Sequence, residues 1–192
     1  KKYSCRVNAN RKLAIFSASV ILIFIILDQI LKIWVKTNME LGEHIHLIGS
    51  WFQLYFIENE GMAFGMSLGA KFGKFLLSFV RIIVVGFMGY YFYKLFKNKT
   101  IDLPIALTFS LIIAGALGNI IDSLFYGVIF DYAPFMFGKV VDMFYFRLFP
   151  IPEWFPLWGG SYFFPAIFNI ADSCVTVGIV LMIIFNKRIF NA

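Results

Sequence analysis

Apolar residues run almost unbroken through four stretches of this chain: Leu13–Trp34, Phe75–Tyr93, Ile101–Ile121 and Phe164–Phe185. About 20 residues at ~1.5 Å each cover the hydrocarbon core of a bilayer, so each stretch predicts a membrane-spanning helix. The expected fold is an all-α polytopic membrane protein with four transmembrane helices, in a single domain over residues 1–192. The connecting segments differ in character. Lys94, Lys97 and Lys99 lie in a short polar turn. In the 36–70 segment, Ser50–Ile57 is aromatic-rich and partly alternating, bounded by Gly49 and by Asn59-Glu60-Gly61, and predicts a strand. The 123–162 segment is the longest loop. It carries two similar strings, Gly127-Val128-Ile129-Phe130-Asp131 and Gly138-Lys139-Val140-Val141-Asp142, whose Val, Ile and Phe content predicts short strands. It then turns Pro-rich and aromatic, with Pro150, Pro152, Pro156, Trp154 and Trp158.

Composition supports the membrane assignment. The chain is 60% hydrophobic with a mean hydropathy of +0.81, against about 45–50% apolar for soluble domains. The net charge of +6 does not point to nucleic acid, because the basic residues flank the apolar runs. Lys1, Lys2, Arg6, Arg11, Lys12, Lys94, Lys97, Lys99, Lys187 and Arg188 fall on one side if both termini do, in short segments. The positive-inside rule makes that side cytoplasmic. Trp34, Trp51, Trp154 and Trp158 then lie on the outer side. The first apolar run is too long for a signal-peptide core and predicts an uncleaved span. Cys5 lies in the basic N-terminal tail and Cys174 inside a membrane run, which argues against a disulfide. His44 and His46 lack a third ligand in reach, so no metal is expected.

The informative residues are the polar ones in or beside the spans. Asp172 is the one formal charge in the fourth run, and an intramembrane carboxylate is by default a functional group with a partner. Counting from Phe164, it lies about two turns inside, with Asn169 one turn before it. Asp28 and Lys32 share a face of span 1 and can pair. Span 3 ends in the small residues Ala114, Gly115, Ala116 and Gly118, which allow close helix contact, followed by Asn119 and Asp122. Arg81, near the start of span 2, can snorkel outward. Asp28, Lys32, Asn119, Asp122, Asn169 and Asp172 all lie toward the outer ends of their spans, which implies a polar pocket in the outer leaflet, approached from the loop by Asp142. Two neighbouring carboxyls can share a proton and hydrolyse an amide. On chemistry alone, a proton or ion path and plain structural burial stay open beside catalysis.

Taken in order, Asp28-Gln29-x-x-Lys32, Asn59-x-Gly61-x-Ala63-Phe64, Gly115-x-x-Gly118-Asn119-x-x-Asp122, Val140-Val141-Asp142 and Phe168-Asn169-x-Ala171-Asp172-Ser173 resemble bacterial lipoprotein signal peptidase, the type II signal peptidases. The resemblance implies an intramembrane aspartyl protease of the bacterial inner membrane, its site toward the periplasm. It would cleave diacylglyceryl-modified prolipoproteins on the amino side of the lipidated cysteine, among membrane lipids, without metal or other cofactor, and be inhibited by globomycin. Asp142 and Asp172 would be the catalytic pair. Asn59, Gly61, Gly115, Asn119, Asp122, Asn169 and Ala171 would line or shape the site, supported by Asp28 and Lys32. The outer loops would form a small β-sheet cradle and a flap. Two departures stand out. The arginine expected directly after Asp122 is Ser123, with Arg147 a candidate replacement. An ungapped count would also select Asp131 in place of Asp142; the Val-Val-Asp-Met-Phe string favours Asp142. A small proton- or ion-coupled transporter using Asp28, Asp122 and Asp172 is the rival reading.

Overall fold

The computed structural model describes residues 2–60, 70–98, 101–155 and 159–190. Gly61 with its turn, Pro156 and Trp158 lie outside the described residues. The first helix, α1, spans Lys2–Asn38. A hairpin follows, β1 (His44–Ile48) and β2 (Phe52–Asn59). Then come α2 (Ala70–Asn98) and α3 (Leu103–Ile121). Helix α3 does not stop at Ile121 as expected. It runs on through a π-helical turn, Asp122–Tyr126, into α4, Gly127–Ile129. The first of the two strand-like strings is therefore helical. Its apolar residues lack a turn signal on the N-terminal side, so the helix propagates. Gly127 is needed there because a Cβ would press on the Ala133 carbonyl where the chain folds back. The second string forms β3 (Val140–Phe146), which pairs with the two-residue strand β4 (Ile167–Phe168). Helices α5 (Ile170–Ile184) and α6 (Asn186–Phe190) close the chain.

Three helical stretches, Asn10–Asn38, Gly73–Asn98 and Leu103–Ile129, are long and apolar enough to cross a membrane; Ile170–Ile184 is apolar but shorter. The fourth apolar run was expected to be helical from Phe164. It begins instead as extended chain because Asn169 caps α5: its side chain accepts from the Asp172 amide at 2.8 Å, and the Asp172 side chain accepts from the Asn169 amide at 3.3 Å. This reciprocal box fixes a helix start. It moves Asp172 from two turns deep to the first turn.

The four strands form one antiparallel sheet in the order β1-β2-β3-β4. Strand β1, unforeseen in the polar 36–70 segment, adds the outer edge. There His44 stacks on Tyr55 and bonds Gln53 at 3.0 Å, so it serves the hairpin. One extra residue bulges from β2 between Leu54 and Ile57. Alternation along β3 sends Val141 and Met143 into a core with Val35, Met39, Leu54, Phe56 and Tyr126, and turns Asp142 to the opposite face. A second core at the other end of the bundle is wholly apolar: Phe92, Leu95, Ile101, Ile105, Ala106, Phe109, Ile113 and Ile189.

Helix α3 is the centre of the bundle, packed on α5, α1 and, less extensively, α2. The small residues at its end let α5 come close. A Cβ on Gly115 would collide with the Ala171 carbonyl oxygen, and one on Gly118 would lie 2.7 Å from Asp28 Oδ2. Backbone-to-backbone approach of this kind brings the N-terminus of α5 against the polar end of α1 and α3.

Candidate active site

Two carboxylate pairs meet at this end of the bundle. The first is closed. Lys32 Nζ lies 2.9 Å from Asp28 Oδ2, 2.8 Å from Asp122 Oδ2 and 2.8 Å from Asn119 Oδ1, and Lys32, Asp28 and Asp122 are all buried. Gln29 Nε2 donates to Asp122 Oδ1 at 2.9 Å, and Tyr126 Oη donates to Gln29 Oε1 at 3.1 Å. Both acids also hold the backbone: Asp28 Oδ1 accepts from the Ala171 amide at 2.9 Å, and Asp122 Oδ2, besides Lys32, from the Val141 amide at 3.3 Å. One cation between two acids, with further donors on the free lone pairs, is the arrangement that makes buried charge tolerable. It pins α1, α3, α5 and β3 together.

The second pair, Asp142 and Asp172, has amides where the first has a lysine. Asn169 Nδ2 donates to Asp142 Oδ1 at 2.7 Å, and Asn59 Nδ2 donates to Asp142 Oδ2 at 3.2 Å. Asn119 Nδ2 donates to Asp172 Oδ1 at 2.8 Å, and the Asn169 backbone amide to Asp172 Oδ2 at 3.3 Å. Asn169 thus touches both carboxyls. Burial and the neighbouring charge of Asp172 push the Asp142 carboxyl up to about 7, against weaker opposing bonds from Asn59 and Asn169. Asp172 sits in the first turn of α5, where the helix dipole favours negative charge. Lys32 also orients this pair at one remove. By donating to Asn119 Oδ1 it directs the NH₂ of that amide at Asp172.

The structure brings Asp28, Lys32, Asn59, Asn119, Asp122, Asp142, Asn169, Ala171 and Asp172 to one place, with Gly115 at the helix contact behind them. Asp131 is elsewhere, exposed on the turn after α4 with a φ of 53°. Arg147 does not replace a cation at Ser123. It is exposed, stacked over Tyr162 and donating to that hydroxyl. The side chain that reaches Ser123 is Arg81, whose Nη1 donates to Ser123 Oγ at 2.9 Å, so Arg81 turns inward instead of snorkelling. Sequence reasoning also left Gln29 and Tyr126 without roles. Gln29 carried a signal, an amide one residue from an intramembrane acid, whereas Tyr126 becomes visible only with the π-helical turn.

A bundle of apolar helices with a small antiparallel sheet at one end, and carboxyls converging where they join, defines a membrane enzyme. Two solved structures described as bacterial membrane enzymes agree. One aligns with a TM-score of 0.64 at 30% identity over 88% of this chain and 90% of its own; the other with 0.63 at 28% over 88% and 85%. The family model for signal peptidase (SPase) II matches residues 20–187. The lipoprotein signal peptidase of Porphyromonas gingivalis is 44% identical over 190 residues, covering 89% of this chain and 82% of that protein. That of Amoebophilus asiaticus is 38% identical over 181 residues, covering 88% and 76%. The chain belongs to the signal peptidase II family.

Proposed function

We propose that this protein removes signal peptides from diacylglyceryl-modified prolipoproteins, as an aspartyl endopeptidase of the bacterial inner membrane that cleaves on the amino side of the lipidated cysteine. The observation that carries the mechanism is the position of Asn169, bonded to both Asp142 and Asp172. Two carboxyls fixed on one residue can hold one water between them. Asp142, its carboxyl pushed up to about 7, keeps a proton near neutrality and serves as the acid. Asp172 serves as the base. It takes a proton from the water, the oxygen attacks the scissile carbonyl carbon, and Asp142 protonates the carbonyl oxygen. The resulting diol collapses: one hydroxyl returns its proton to Asp142 as the carbonyl re-forms, the C–N bond breaks, and the leaving amine takes the proton held by Asp172.

The fourth crossing is the run Phe164–Phe185, whose helical part is α5, and both termini are cytoplasmic. Lys94, Lys97, Lys187 and Arg188 cluster at the apolar end of the bundle, opposite the sheet, which supports that orientation and a periplasmic site. The sheet is the cradle for the cleavage segment, the outer loops supply a flap over the groove, and globomycin-type inhibitors occupy the same groove. The test uses Asp142→Asn and Asp172→Asn separately, in membranes with a lipidated precursor. Each is expected to stop processing; processing at the wild-type rate by either would remove that residue from the chemistry. Asp131→Asn is expected to process normally.

A further inference from the structure

Arg81 is a cation within a membrane span, and its environment is not that of a snorkelling side chain. A central arginine costs roughly 2.5–3.5 kcal/mol on insertion scales unless it reaches water or a partner. Here the guanidinium leaves α2 toward the bundle, is only partly exposed, and binds the hydroxyl of Ser123 on the π-helical turn. Ser123 Oγ in turn donates to the Asn119 carbonyl at 2.9 Å. That bond fixes the hydroxyl as an acceptor for Arg81 and sets the guanidinium plane. A guanidinium has five N–H donors, and Ser123 takes one. Among the described residues Arg81 forms no ion pair with a carboxylate. Yet its strongest ionic neighbour is Asp172, and both face one cavity of about 350 Å³ between α2, α3 and α5. The walls of that cavity are apolar, among them Val80, Val84 and Val175, and its polar groups gather around Arg81, Asn119 and Asp172.

We propose that Arg81, held by Ser123, is a substrate-binding residue that donates hydrogen bonds to a backbone carbonyl oxygen of the precursor peptide beside the scissile bond. This rests on the peptidase reading above. A peptide entering an apolar cavity loses water from its carbonyls, and an unmet carbonyl there is costly. A charged planar donor fixed at the mouth removes that cost for a chain in one register, with the scissile bond delivered to Asp142 and Asp172. The two acids do the chemistry and Arg81 sets where along the peptide it happens.

The test is steady-state processing of a diacylglyceryl-modified precursor peptide by the full chain in phosphatidylcholine vesicles. No cleavage by the wild type would refute the peptidase reading itself. Given cleavage, Arg81→Ala and the longer Arg81→Met are expected to raise KM roughly 10- to 100-fold, the range of a hydrogen bond to a charged group, with kcat changed by only a few fold. Unfolding temperatures should stay at or above wild type. The double variant Arg81→Ala/Ser123→Arg, which moves the guanidinium across the same contact, is expected to recover most of the KM. Wild-type KM in both single variants would overturn the proposal, as would failure of the double variant to recover in a folded protein. An effect of Arg81→Ala that appears only when phosphatidylglycerol is added would assign the arginine to a lipid phosphate and overturn the peptide assignment.

Discussion

The two acid pairs at the polar end of the bundle are built from the same residue type, lie within one hydrogen-bond network and share Asn119, yet they are opposites. Asp28 and Asp122 enclose Lys32, are fully buried and spend their remaining oxygens on backbone and Gln29. Among the described residues Asp142 and Asp172 accept only from amides; Asp142 is buried on β3, and Asp172 lines the cavity between α2, α3 and α5. A cation in contact favours the charged form of a carboxylate and occupies its lone pairs. An amide orients it and leaves the proton question open. The first pair is a clamp and the second a reagent, and the choice of Lys or Asn as the partner decides which.

The largest effect expected from breaking this comparison is on rate. Asp142→Asn or Asp172→Asn should each lower processing by roughly 10⁴-fold, about 5.4 kcal/mol of activation free energy, while thermal unfolding in detergent stays unchanged or shifts upward. The closed pair should behave the other way. Lys32→Met leaves two uncompensated buried acids and is expected to cost about 3–5 kcal/mol of stability. The triple variant Asp28→Asn/Lys32→Met/Asp122→Asn should regain most of that loss. A triple variant as unstable as the single one would mean that Lys32 acts by packing and not by charge. Next in size is Gly115→Ala, whose added methyl meets the Ala171 carbonyl. Overpacking of this kind costs about 1–3 kcal/mol and should part α5 from α3, lowering both unfolding temperature and rate. A loss in one without the other would show that the helix contact and the site are independent.

Much of this contrast was legible in the sequence, because membrane burial makes every polar residue conspicuous. Asp28, Lys32, Asn119, Asp122, Asn169 and Asp172 stand out against apolar runs, and their common position at one end of each run implies a pocket. What stayed hidden was local backbone geometry. The Asn169 cap ends the extended segment five residues later than hydropathy suggests, since apolar composition cannot tell buried strand from helix. The π-helical turn at Asp122–Tyr126 has no signature in composition, yet it carries Ser123, which meets Arg81, and Tyr126, which meets Gln29. The edge strand β1 was missed because its residues, His44–Ile48, are largely exposed and carry little of the burial pattern by which strands are read.

The finest distinction between the pairs is protonation, and it can be tuned without touching either acid. The Asp142 carboxyl is raised from the ordinary carboxylate range to about 7, so its proton is present below that pH and lost above it. If Asp142 is the acid, kcat/KM should fall as pH rises through about 7, by roughly tenfold per unit on the alkaline side. Asn59 opposes the upward shift, since its 3.2 Å bond to Asp142 Oδ2 favours the charged form. Removing it must therefore move the group further up, and Asn59→Ala should carry the alkaline limb to higher pH by a fraction of a unit. Lys32→Met, which takes away a distant positive charge, should move it the same way by less. A limb that shifts downward in Asn59→Ala would show that the group titrating there is not Asp142, and the assignment of acid and base would have to be exchanged.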